Sequence, residues 1–390
     1  MPEISDSSNA IFRAVKEVTF GVTPAVPMIE LPFTGHTLAM STESASDESI
    51  TGDRQNSRLI RVGATTAGDV NQEVKYGGID LLLEGAMQNV FAAEVSTTLL
   101  AEITTVASDN SVNSATSELP VVAADSWVQM RSVVGVTTTY GKVVSSTSAK
   151  MVLSHIVLAD ATITAGTDPV IVSGGNMTNG ATATSYSMET EYTDMVTTLI
   201  NHVGVRVNTF ALEVTSKSKV TSTFGLMGLD TATASATIGT GTPTAAVNTT
   251  TMSASTNVGT VLQDGTPASV YFKKISLSMN NNCRVQDAVA NMFAVGISGN
   301  SSLNVMVSAE AYFSDKTFYE KYINNDTMSL MYTLDGVDGG SYLVEIPTLS
   351  FKTATVNPSG KNVDNVVPVE LEASKHTTLG YTIQICRFAA

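Results

Sequence analysis

The chain has 390 residues, 43% hydrophobic and only 15% charged, with 36 acidic against 21 basic side chains and a net charge of −15. That length calls for roughly two to three packed cores, and the negative field excludes tight binding to nucleic acid. Few charges beside abundant Ser, Thr, Asn, Gly and Val exclude a surface built of helices and predict strands joined by turns.

Taken in chain order, the opening Met1-Pro2-Glu3 has no basic or apolar leader pattern, and no apolar run is long enough to span a membrane, so neither is expected. The spacing of Ile79, Leu82, Leu83, Ala86, Met87 and Val90 predicts a core-facing helix over 79–90. Residues 98–185 lose that period and break into short apolar runs near Val133, Val143 and Val157, punctuated by Gly135, Gly141, Gly166 and Gly174-Gly175, as in a small inserted all-β unit. Its Trp127 is expected to plug that unit's own core. Tyr192, Met195, Val196, Leu199 and Val203, with Gly204 as a stop, predict a second helix over 192–203. Residues 229–267 have no period and almost no charge, which implies either disorder or function.

Val270 and Phe272 alternate in one phase and Ile275, Leu277 and Met279 in the other, so a bulge is expected near Lys273-Lys274. Residues 302–313 alternate as a half-buried strand through Leu303, Val305, Val307, Ala309, Ala311 and Phe313. A short helix over 314–323 follows, with Ser314 or Asp315 as cap and Phe318, Tyr319 and Tyr322 on its apolar side. Asp335 to Gly340 read as a hairpin turn, and Leu379, Tyr381, Ile383 and Ile385 as a last alternating strand.

Nothing points to catalysis. His36, His155, His202 and His376 are scattered outside any metal-ligand spacing. The distant Cys283 and Cys386 form neither a disulfide scaffold nor a zinc site and read as reduced sheet residues. Gly296-Ile297-Ser298-Gly299 reads as a turn rather than a phosphate cradle. Glu189/Glu191 and Asp335/Asp338 read as a strand face and a hairpin turn rather than acid–base or calcium pairs. The sequons at Asn176, Asn248 and Asn300 are those expected by chance in so much Ser and Thr.

Several segments carry a resemblance. Glu17-Val18-Thr19-Phe20-Gly21-Val22-Thr23-Pro24 looks like an extended arm ending in a Gly-x-x-Pro turn, followed by a strand over 31–40, a polar stretch with Glu48-Ser49-Ile50 and Asp53-Arg54, and Gly68-Asp69-Val70 leading into Tyr76 and the helix. Tyr186-Ser187-Met188-Glu189 and His202-Val203-Gly204-Val205-Arg206-Val207-Asn208 then lead into a hairpin over 212–223. Ser276-Leu277-Ser278-Met279-Asn280, Tyr312-Phe313-Ser314-Asp315, Tyr319-Glu320-Lys321-Tyr322 and Ile346-Pro347 follow in order. In this succession the chain resembles the tail tube, or major tail, proteins of long-tailed bacteriophages, except across 98–185.

The resemblance implies a mainly β fold, a barrel-forming β-sandwich with flanking helices, split into 1–97 and 186–390 around the inserted β unit 98–185 on the tube exterior. It implies a structural virion protein, without cofactor or metal, that assembles in the host bacterial cytoplasm into rings of six stacked as a tube. Its partners would be itself, other tail proteins at the tube ends and genomic DNA passing through the lumen without specific binding, with no membrane bound. A lumen of net negative charge would let DNA slide. The family's long loop between rings corresponds to 229–267, so Leu229, Val247, Met252 and Val258, with Phe20 and Pro24 of the arm, are the expected inter-ring contacts. That loop is expected to order only on stacking and to be removable over 231–259 without unfolding the subunit. A tail terminator, a decoration protein, or a secreted adhesin or surface-layer module would share the composition but not the order of these motifs.

Overall fold

The computed structural model describes residues 4–389 apart from 51–57, 99–102, 132–137, 164–169, 196–197, 300–301, 315 and 358–359. Asp53, Arg54, Val133, Gly135, Gly166, Val196, Asn300 and Asp315 thus lie outside the described residues. The protein is mainly β, with two α-helices among the described residues. One is the predicted core helix, Asp80–Met87, whose Leu82, Leu83, Ala86 and Met87 are buried. It ends before its apolar stripe does because Gln88 turns left-handed at φ 51°, and Val90 is left exposed. The other, Thr317–Asn324, is anchored by buried Phe318, while Tyr319 and Tyr322 stay at the surface. Lys316, not Ser314, stands at its N-cap, and no side chain caps it.

No helix stands over 192–203 among the described residues. Tyr192 and Leu199 to Val203 belong to the strands Tyr186–Tyr192 and Leu199–Thr215, which pair antiparallel with Met188 opposite His202 and Glu189 opposite Asn201. Leu199 to Val203 also pair with the strand Asp230–Ala234. Strand neighbours on both sides, and the β-branched run Ile200, Val203, Val205 and Val207, outweigh a helical spacing that spans only three turns.

Leu199–Thr215 joins the two sections of the body. Its first half lies with Tyr186–Tyr192, Ala10–Lys16, Ile29–Glu30 and Asp230–Ala234. Its second half lies between Thr221–Gly228 and Phe272–Asn280. From there the order continues through Asn304–Tyr312, Val366–Ala373, Ser341–Ala354, Thr327–Asp335 and Val258–Gln263. The switch occurs where Gly204 takes φ +63° and the register shifts between Val207 and Thr209. Both sections and the first helix enclose one core that includes Phe12, Leu83, Tyr186, Phe210, Leu277 and Ile346. The sheets are sandwich-like and do not close into a barrel. The bulge near Lys273 is present as a register shift between Phe272 and Lys274, and the hairpin turn runs from Asp335 to its partner Ser341.

Other expectations change. Of the strand expected over 31–40, only Gly35–His36 and the start of Ala39–Ser46 form, while Ile29–Glu30 pairs just before it. Gly296–Ser298 is a strand paired with Arg284–Gln286, not a turn. The last strand begins only at Gln384, and Gln384 is as buried as its apolar neighbours, which breaks the alternation.

Among the described residues, eight strands between Val95 and Ser173 form a separate antiparallel sheet. Val112, Val128, Val143, Met151, Leu153 and Ile171 build its core. Gly175–Thr178, by contrast, pairs with Gln384–Phe388 of the main body. Trp127 does not plug that small core. Neighbouring strand residues face opposite sides, so Val128 points inward and Trp127 outward, into a second cluster with Met331, Leu343, Cys386 and Phe388 of the body.

Buried histidines set an acid limit. His202, 1% exposed, has Nδ1 2.9 Å from Thr231 Oγ1 while its Nε2 finds no partner, and burial, with His36 nearby, lowers its pKa to about 4. A free histidine titrates near 6.5, so above about pH 7 both folded and unfolded chains carry it neutral. As pH falls from about 6.5 towards about 4, the unfolded chain takes a proton that the fold refuses, costing roughly 1.4 kcal/mol per unit. The thermal midpoint should therefore be flat above neutrality and fall through this window, less steeply in His202→Gln. Equal slopes for the two proteins would refute the assignment.

Candidate assembly surfaces

One face of the larger section lies against the core and the other meets solvent. Across Leu59–Glu73, Thr221–Gly228, Leu199–Thr215, Phe272–Asn280, Asn304–Tyr312 and Val366–Ala373, the residues Gln72, Ser222, Leu212, Leu277, Val307 and Leu371 form one buried row. One residue over, Glu73, Thr221, Glu213, Ser276, Ser308 and Glu370 form the outward row. Beside it run Asn71, Thr223, Ala211, Ser278, Met306 and Glu372, none of them buried. Neither row contains a lysine or arginine. Lysines reach in only from the margins, Lys219 to Glu73 at 2.6 Å, Lys274 to Glu213 at 3.2 Å and Lys352 to Glu372 at 3.2 Å. The bond from Lys219 holds the Glu73 carboxyl below its ordinary pKa. The result is a broad hydroxyl- and carboxylate-bearing surface with little to grip a phosphate.

A hairpin arm projects from this section. Residues 66–73 of Leu59–Glu73 pair with Thr221–Gly228, but beyond them its strand partner is Ala39–Ser46, with Ser44, Ala45 and Ser46 opposite Arg61, Ile60 and Leu59, and Met292 O accepts from Ala64 N at 2.9 Å at the arm's base. Leu59, Ile60 and Val62 are 66%, 58% and 59% exposed, and Ile50 beyond them is fully so. Apolar side chains this open on an extended arm are rare on a free surface. The motif reading saw only a polar stretch here. The run Leu59-Ile60-Arg61-Val62 was the available signal, an apolar strand with no complementary buried face.

The arm-and-turn segment at the N-terminus is held by one carboxylate. Glu17 accepts hydrogen bonds from Gly21 N at 2.8 Å, Ser185 Oγ at 2.7 Å, Ser187 Oγ at 2.7 Å and Gly204 N at 2.8 Å. Thr19 and Val22 bridge across the turn, where Gly21 takes φ +74°. This presents Val18 and Val22 to solvent, while Phe20 lies over the Arg206 guanidinium at 4.7 Å.

The six expected contact residues separate into two places. Phe20 and Leu229 meet at the bend, where a Cβ on Gly204 would lie 3.3 Å from the Phe20 ring and 2.7 Å from Leu229, with Pro24 half-buried on the same turn. Val247, Met252 and Val258 lie elsewhere, beside Gly77, Val74 and Leu334. Met252 is 0% exposed within its own core, so it has no surface for a neighbouring ring. Nor is 229–267 a separable loop. It contributes the strands Asp230–Ala234 and Val258–Gln263, and between them Thr237 and Ile238 donate to buried Glu189 and Thr244 donates to Met28 O. Cutting out 231–259 would remove a strand and a core side chain.

No curated protein matches the chain. The family model described as phage tail tube protein matches residues 7–373, nearly the whole sequence, the eight-stranded sheet included. With that span matched, the chain belongs to the phage tail tube protein family.

Proposed function

We propose that copies of this chain close into six-membered rings and that the rings stack into the tube of a phage tail, through which the genome leaves. The observation that carries the reading is the polar outer face of the six-strand section. Turned to a lumen, its rows of Ser, Thr and Glu without Lys or Arg would keep DNA hydrated and unbound. The open apolar arm at Leu59, Ile60 and Val62, and the turn carrying Phe20 and Pro24 next to Leu229, supply surfaces for contact between copies. Val247 and Val258 are only partly buried and remain available, whereas Met252 does not. The role is structural, with other tail proteins at the tube ends, no membrane partner, and assembly in the host cytoplasm before incorporation into the virion.

Electron microscopy of the concentrated protein tests this. Hollow tubes or stacked rings with a central hole are expected. A chain that stays monomeric even with the other tail components added would overturn the proposal.

A further inference from the structure

A closed polar site lies where the separate eight-stranded sheet meets the body, away from every surface assigned above. Lys142 Nζ is 2.6 Å from Glu345 Oε1, and each side chain is 6% exposed. Glu345 Oε2 faces two donors, Trp127 Nε1 at 2.8 Å and the Tyr381 hydroxyl at 3.0 Å. That hydroxyl also lies 3.2 Å from Nζ and 2.9 Å from Gln384 Oε1. The Trp127 and Tyr381 rings flank Nζ at 5.8 and 5.9 Å, and buried Cys386, Leu343 and Phe388 exclude water around them.

Such burial has a chemical consequence. An ion pair removed from water gains attraction but loses hydration, and the exchange is seldom clearly favourable. Passing one proton from Nζ to Oε1 replaces two buried charges with a neutral amine and a neutral carboxyl. The amine nitrogen, 2.6 Å from Oε1, is then held beside the carboxyl group, and a nucleophile fixed next to its electrophile reacts at a high effective concentration.

We propose that Lys142 and Glu345 condense into an amide that fastens the separate sheet to the body within one chain. The Nζ lone pair attacks Cδ of Glu345. The carbonyl π electrons move onto Oε2, where Trp127 N–H and the Tyr381 hydroxyl stabilise the developing oxyanion. A proton passes from Nζ to the Oε1 hydroxyl, which leaves as water while the Oε2 electrons re-form the carbonyl. One C–N bond forms, one C–O bond breaks, and no oxidant or co-reactant is consumed. A site this dry favours expulsion of the water. The bond would hold the sheet in place when packing alone would let it peel away.

Intact-mass spectrometry of the full chain, incubated folded and then fully denatured, reads this directly. The wild-type protein should be lighter than its sequence by one water, and protease digestion should yield a branched peptide containing both Lys142 and Glu345. Lys142→Arg keeps the positive charge but offers no nucleophilic amine, and should have the full sequence mass. A wild-type chain of full sequence mass would overturn the proposal, leaving an ion pair only. Loss of water that persists in Lys142→Arg would overturn the residue assignment. Because the readout is covalent, neither result depends on whether tubes form.

Discussion

Replacing Arg13 with alanine is expected to lower the stability of the subunit by about 3–5 kcal/mol, the usual penalty for stranding a buried charge. Arg13 is the cation at a point where three carboxylates converge, Glu30 at 3.3 Å, Glu189 at 3.0 Å and Glu191 at 2.5 Å. Glu189 is 0% exposed and also accepts hydrogen bonds from Thr237 and Ile238, so the cluster ties the first strand to both its neighbours and to the crossing segment. Without the guanidinium, the fully buried Glu189 carboxylate loses its cation, and that unpaired charge loosens the segment. Urea unfolding followed by circular dichroism measures the change. Adding Glu189→Gln to Arg13→Ala should recover part of the loss, since it removes the stranded charge and keeps an acceptor. A single-variant loss below about 1 kcal/mol would show that water reaches the cluster and that it acts as a surface ion pair.

Shortening the arm should have the opposite signature, with unchanged stability and lost assembly. Joining residue 44 to residue 61 through a Gly-containing turn removes, among the described residues, hairpin pairs and the exposed Ile50, Leu59 and Ile60, none of which belongs to the core. The thermal midpoint should stay within about 2 °C, as for surface changes of a few tenths of a kcal/mol. Tube or ring-stack formation should fall below detection in electron microscopy, because apolar area that a neighbour would cover contributes about 25 cal/mol per Å² and recurs at every contact along a tube. Tubes of normal length from the shortened chain would place adhesion at the Phe20 and Pro24 turn instead.

The difference between these two sites explains how much could be read without coordinates. Leu82, Leu83, Ala86 and Met87 announce their helix because a single amphipathic face is a local pattern, and Val305, Val307, Ala309 and Ala311 announce their strand for the same reason. Tyr192 to Val203 fit a helical spacing equally well. The outcome there was decided by strands that arrive from far along the chain, Tyr186–Tyr192 on one side and Asp230–Ala234 on the other. The arm at Leu59 and the core position of Met252 were hidden for a related reason. Whether an apolar residue is covered depends on what folds over it, and neighbouring letters do not record that.

The sequence by itself determined the β-rich class, the first helix, the bulge at Lys273 and, through the order of its motifs, the tail tube family. These depend on periodicity, turn chemistry and motif order, which are short-range properties of a chain. Of the apolar runs near Val133, Val143 and Val157, by contrast, only Val143 is a buried strand residue among those described, Val157 being exposed. Only the tertiary structure decided that Leu199–Thr215 is one strand shared by two sections, that Trp127 faces the body rather than its own sheet, and that Lys142 meets Glu345. Each of those follows from pairing between residues far apart in sequence, where the register of one strand against another selects which side chains meet.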